Sequence, residues 1–320
     1  MTDKDLHAAA VKTLRDCMAV RAGEVVTVVA DTATREVAEA LVDAARELGA
    51  EAILALMTPR RINGEEPPRP VAALMRDSDV LLLATAVSLS HTAARKQANA
   101  AGARAASLPG VTADMMVRTM AVDYVQVAAR SRKLADALKG IRRLLLTSAT
   151  GTDLTLNVED VAFGADVGLY AEPGAFGNLP AGEVCGGPRL VGSSGVAVFD
   201  GSFAGVGLLR TPIRVTFNDG LATDIEGGAE ARALKELLEP FGDGGRTLAE
   251  IGIGTHPTAR LTGAVLEDEK IAGTVHLALG NNVGFGGENA ANVHLDGVIL
   301  SPTLITDAGV VLLDNGVPHF

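Results

Sequence analysis

The first hundred residues switch repeatedly between two hydrophobic patterns, and that alternation limits the fold more than any other feature. Val25–Ala30 (VVTVVA) is a continuous, mostly β-branched run, as expected of a strand buried on both faces. Asp31-Thr32 then reads as a helix cap, followed by an amphipathic stretch to Leu48 that Gly49 stops. Ala52–Met57 (AILALM) reads as a second strand. Val80–Ala84 (VLLLA) reads as a third, after a helical segment ending near Asp77. Ala93–Ala101 has a helical pattern, and Ala103–Leu108 is a strand ending at Pro109-Gly110. The rhythm predicts an α/β, Rossmann-like domain over residues 1–140, with a small parallel sheet and helices on both faces. No G-x-G-x-x-G follows the first strand, so a dinucleotide site is not supported.

The pattern changes near Ile141. Leu144–Ser148 and Asp153–Asn157 alternate as strands around Ala149–Thr152. Thr211–Phe217, Asn218-Asp219-Gly220 and Leu221–Ile225 form a strong hairpin signal. One helix intervenes, Gly228–Leu238, ended by Pro240. Glycine is dense from Gly164 onward, which suits tight turns and close backbone approach. Residues 141–320 are therefore expected to form a second, β-rich α+β domain.

Charge narrows the function. Residues 1–143 hold 20 Lys and Arg against 17 Asp and Glu, whereas residues 144–320 hold 8 against 22. An acidic half repels phosphate backbones, so a nucleic-acid partner is not expected. The bland explanation is solubility; the sharper one is that some carboxylates hold cations. No apolar run approaches the length of a membrane span, and no membrane partner is expected. Cys17 and Cys185 stand far apart in no metal or redox spacing, which fits a reducing compartment such as the cytoplasm. A dimer is the expected assembly on general grounds.

Six histidines are present, three of them between residues 256 and 294. Asn292–Gly297 reads as a strand, so His294 and Asp296 project from one face and place an imidazole beside a carboxylate. An H-x-D pair alone is also compatible with a plain surface strand. His276 lies in another strand pattern, GTVHLALG, among aliphatic neighbours. Glu250 precedes the apolar run Ile251–Thr255, where a buried carboxylate needs a partner. Glu183 lies in a loop with Pro180 and Gly182 at its tip. His256 follows Glu250 closely and is a pocket or turn residue. His91 comes just past the third strand, where ligands of parallel sheets gather. Asn281 and Asn282 are further pocket candidates. Cys185, beside Glu183, is either a soft ligand or simply buried.

The segments Asn178–Val184 (NLPAGEV), Glu250–Thr255 (EIGIGT), Asp268–Gly280 (DEKIAGTVHLALG) and His294–Gly297 (HLDG) occur in an order that resembles the thermophilic metallo-aminopeptidases of the aminopeptidase T and S type. The resemblance covers residues 140–320 strongly and the first domain loosely. It implies a metal-dependent hydrolase acting on a small molecule or short peptide. The metal ligands it implies are Glu183, Glu250, His276, His294 and Asp296, holding two divalent ions (Zn, Co or Mn) with an activated water as nucleophile. The family places a tyrosine seven residues after its first ligand histidine. That position is Val283 here, and the chain's only tyrosines are Tyr124 and Tyr170. Valine can neither donate a proton nor stabilise an oxyanion. The chain also resembles the shorter 2,5-dihydroxypyridine 5,6-dioxygenases, which carry an H-L-D segment near the C-terminus. That resemblance implies a single Fe(II) held by a facial triad and a ring-cleaving oxygenase. In those enzymes the position of Glu250 is a histidine and that of Glu183 is apolar. A third reading is a catalytically inactive binding protein that retains the fold.

Overall fold

A computed structural model describes residues 2–320. The chain forms two compact units, one running to Ala128 and including Val167–Ala181, the other made of Ala129–Asp166 and Gly182–Phe320. The chain thus returns to its first unit after residue 141, where a single boundary was expected. The return is explained by one three-residue strand, Phe176–Asn178, which pairs parallel with Arg104–Ser107.

The first unit holds a five-stranded parallel sheet. Val25–Ala30 lies between Glu51–Leu56 and Val80–Ala84, followed outward by Arg104–Ser107 and Phe176–Asn178. The β-branched run of 25–30 and the run VLLLA are buried, as their composition predicts. Glu51–Leu56 is one of the two edge strands, and Leu56 is exposed. The expected cap at Asp31-Thr32 is different in detail. The helix is Arg35–Glu47, and the Asp31 carboxylate instead accepts the N–H groups of Ala33 and Ala86. It thereby ties the end of one strand to the segment after Val80–Ala84. Near the opposite strand ends, the Arg104 guanidinium donates to Glu24 at 2.7 Å. Burial works against the Glu24 carboxylate, but Arg104 and the Arg21 N–H hold its pKa below the usual range.

The second unit is built of two sheets. One has eight strands, among them Arg143–Thr147, Asp153–Asn157, Arg189–Phe199 and the hairpin Ile213–Asn218/Leu221–Glu226. Asp219 and Gly220 take positive φ at the tip of that hairpin, as the Asn-Asp-Gly signal predicts. The other sheet has seven strands. Glu183–Gly186, Leu248–Gly254, Val275–Gly280 and His294–Ile299 stand side by side and antiparallel within it. Leu144, Leu146, Leu154, Ala197 and Val215 of the first sheet share one core with Val184, Ile251, Ile253, Leu277, Leu279 and Ile299 of the second. Among the described residues, no helix is long and apolar enough to cross a membrane.

Candidate metal centre

The four central strands of the seven-stranded sheet sort their side chains by the two-residue period of a strand. In the antiparallel register Gly254 faces Glu183, and Gly252 faces both Cys185 and His276. Ala278 faces both Glu250 and Asp296, and Gly280 faces His294. One face of the sheet therefore carries Glu183, Glu250, His276, His294 and Asp296, spaced by glycine and alanine. The other face carries Val184, Ile251, Ile253, Leu277 and Leu279 and enters the core. The small residues are required there. A Cβ on Gly252 would collide with the His276 ring at Nε2 and Cε1.

All five candidate ligands that the resemblance implied are thus brought together. His276 Nε2 lies 3.3 Å from Glu183 Oε2 and 3.6 Å from Glu250 Oε1. His294 Nε2 lies 3.0 Å from the other Glu250 oxygen and 3.5 Å from Asp296 Oδ1. Glu250 is thus shared between the two imidazoles. Glu183 is not an exposed loop residue, as its Pro and Gly neighbours suggested, but the buried first residue of a strand. His294 is the most open member, with its side chain 31% exposed.

The donor atoms fit a cation. Glu183 Oε2 and both ring nitrogens of His276 are buried without a hydrogen-bond partner, a costly arrangement in a core of this density. Three groups place their ligand atoms within 4.8 Å of one another: Glu183 with Glu250 and His276; Glu250 with His294 and Asp296; and Glu269 with His276 and Asp296. A carbonyl only accepts, so His294 Nδ1 must donate to Asn281 O at 2.8 Å. That bond fixes the ring and points Nε2 at the carboxylates, as outer hydrogen bonds do for ligand histidines.

The electrostatics agree with a cation site. Burial opposes a charge on His276, but the facing Glu250 and Glu183 carboxylates push its pKa up to about 9. Burial opposes it on His294 too, and Asp296 and Glu250 drive that pKa up to about 12. Burial alone would raise the pKa of Glu250, yet the two imidazoles hold it well below the ordinary carboxylate range.

Two residues beside the centre were not singled out from the sequence. The Lys270 ammonium is fully buried and donates to Glu183 Oε1 and Glu269 Oε1, each at 2.6 Å. Burial disfavours its charge, but Glu183 and Glu269 hold its pKa well above the ordinary lysine value. Burial pushes the Glu269 pKa up to about 8, against the pull of Lys270 and with the charges of Glu183 and Asp296 adding to it. Both residues belong to the charged run Glu267-Asp268-Glu269-Lys270, the last three of which open the segment DEKIAGTVHLALG. In the fold Glu267 accepts the Arg260 N–H, and Asp268 accepts those of Thr262 and Gly263. The run's sequence signals are its place directly before the strand of His276 and its share in the segment that carries the resemblance.

The remaining candidates have other surroundings. His256 is buried in a turn, where its Nδ1 accepts from the N–H groups of Thr258 and Ala259. Asn281 orients His294 through its backbone carbonyl. The side-chain oxygen of Asn282 accepts the N–H of Asn289 and shapes the same loop. His91 is an exposed residue of the first unit and belongs to none of the three ligand groups. Cys185 shares the ligand face but is absent from those groups, and burial raises its thiol pKa well above the ordinary value. Val283 is half exposed in a short helical turn, Val283–Phe285. Phe285 of that turn stacks on His294, with centroids 6.0 Å apart and planes 23° from parallel.

Fold and centre together define a metal-binding enzyme fold. Residues 5–318 match the family NicX, 2,5-dihydroxypyridine 5,6-dioxygenase, and the chain belongs to that family. Among solved structures it is similar to the 2,5-dihydroxypyridine dioxygenase of Pseudomonas putida KT2440, with 18% identity and a TM-score of 0.84 over 99% of this chain and 98% of that one. It is also similar to AmpT from Thermus thermophilus, with 18% identity and a TM-score of 0.73 over 99% of each chain. At that identity both likenesses establish the fold alone. No curated protein matches the chain by sequence.

Proposed function

We propose that the chain is a non-haem iron dioxygenase that opens a small, hydroxylated N-heteroaromatic ring by adding both atoms of dioxygen across a ring carbon–carbon bond. The observation that carries the reading is the family match over nearly the whole chain. Glu250, His294 and Asp296, with His276 beside them, would hold the iron. Each group of three here offers one imidazole and two carboxylates, so against the two-histidine, one-carboxylate set of many Fe(II) oxygenases this centre carries a carboxylate, Glu250, in place of one imidazole unless His276 joins it. Bound Fe(II) would supply the one-electron chemistry that lets dioxygen react with a closed-shell ring.

The chain's own residues supply positioning. The hydrogen bond to Asn281 O holds the His294 ring, and Phe285 stacks against it at the one member of the centre that is substantially exposed. A flat, electron-rich substrate would extend that stack. The buried walls around Glu250 and His276 exclude water from the remaining sides.

A hydrolase remains the second reading, favoured by the Glu250 carboxylate shared between the two imidazoles. It is weakened at Val283, which offers no hydroxyl. Oxygen consumption discriminates. The protein, reconstituted anaerobically with Fe(II), is expected to consume oxygen when 2,5-dihydroxypyridine is added. Absence of uptake from iron-loaded protein, together with turnover of amino-acyl amides after loading with Co, Mn or Zn, would reverse the order of the two readings.

A further inference from the structure

We infer that Lys270 is a built-in cation that fills the place of a second metal ion and so limits the centre to one. The inference rests on the metal-centre reading and adds to it the residue that keeps a second ion out.

The face of the sheet offers enough donors for two ions. Glu183, Glu250 and His276 make one group, Glu250, His294 and Asp296 make another, and Glu250 belongs to both. A pair of ions bridged by Glu250 would need Glu183 as a ligand. One oxygen of Glu183 is already engaged, because Lys270 Nζ sits 2.6 Å from its Oε1, and an ion at the remaining Oε2 would share the carboxylate with that ammonium. The third group depends on Glu269, which the same ammonium engages at 2.6 Å. Lys270 thus binds the one carboxylate in each of those two groups that the His294 group lacks. That group alone is untouched by it.

The ammonium is firmly placed. Lys270 is fully buried, its N–H donates to Glu267 O, and its carbonyl accepts the His256 N–H. Its Nζ lies 2.6 Å from a carboxylate oxygen of each of Glu183 and Glu269, and an ammonium so placed repels a divalent ion brought to either in a medium less polar than water. The carboxylate at Glu183 therefore does not by itself imply a dinuclear site, since its charge is met by lysine.

The test is metal stoichiometry, read by elemental analysis after equilibrium dialysis against excess Mn(II) or Co(II). The wild-type chain is expected to hold one ion. Lys270→Met, which keeps length but removes charge, is expected to approach two, and Lys270→Arg is expected to stay at one. Two ions in the wild type overturn the inference without reference to any variant. One ion in a folded Lys270→Met chain overturns it as well. If Lys270→Met does not fold, the neutral hydrogen-bonding variant Lys270→Gln is measured against the same expectation. A chain that binds one ion yet consumes no oxygen leaves this inference standing and removes only the dioxygenase reading.

Discussion

Gly252 stands opposite His276 in the sheet, and the space of its missing side chain is filled by the edge of the imidazole ring. The glycine backbone there is ordinary, so its role is to leave room for the ring rather than to permit an unusual turn. Gly252→Ala is expected to force His276 aside. Overpacking of this kind costs about 1–3 kcal/mol. Metal affinity is expected to fall at least tenfold, measured by competition with a chromogenic chelator. Unchanged affinity in a folded variant would show that His276 is not a ligand.

Lys270 and Glu183 form a buried pair, and removing one partner leaves an uncompensated charge. Lys270→Met is expected to lower the stability of the metal-free chain by about 3–5 kcal/mol. Adding Glu183→Gln should recover part of that loss. A double-mutant cycle in urea measures the coupling. Additive losses would mean that the two residues do not act on each other.

Phe285 meets the centre through its stack on His294. Phe285→Leu is expected to leave metal content near that of the wild type. It is expected to raise KM for a dihydroxypyridine several-fold, more than it lowers kcat. An unchanged KM would remove the proposed stacking surface.

Glu24 and Arg104 give the first unit a pH dependence. The folded Glu24 pKa is depressed, so the pair's contribution is present above the ordinary glutamate value, about 4.3. It is lost as pH falls through the lower, folded value. Wild type is therefore expected to be more stable than Glu24→Gln at pH 7, and the gap should close below about pH 4. Thermal melts of both proteins from pH 3 to 8 test this. A constant gap would contradict the assignment.

Much of this architecture was legible in the sequence because it depends on local periodicity. The run of Val25–Ala30 announced a buried parallel strand, and Asn218-Asp219-Gly220 announced a hairpin. His294 and Asp296 could be paired because i and i+2 on a strand share a face, whereas Glu183, Glu250 and His276 joined them only through the resemblance. What could not be read depends on contacts between distant residues. Phe176–Asn178 is too short and too glycine-flanked to show a period, and only its partner Arg104–Ser107 makes it a strand. The buried state of Glu267 through Lys270 reverses the usual meaning of a charge run. Its cause lies in the loop N–H groups and the Glu183 carboxylate that those side chains meet. The Asp31 carboxylate likewise looked like a helix cap because its partner Ala86 lies 55 residues away.

The register of the four central strands has one further consequence. The five candidate ligands owe their common direction to the parity of their positions, and a slip of one residue in any strand would turn its candidates into the core. Such a slip would also deliver Leu or Ile to the centre. Partial assembly therefore offers no weakened version of the site. Metal-binding capacity should emerge in a single step during refolding, together with the last protected amides of the sheet.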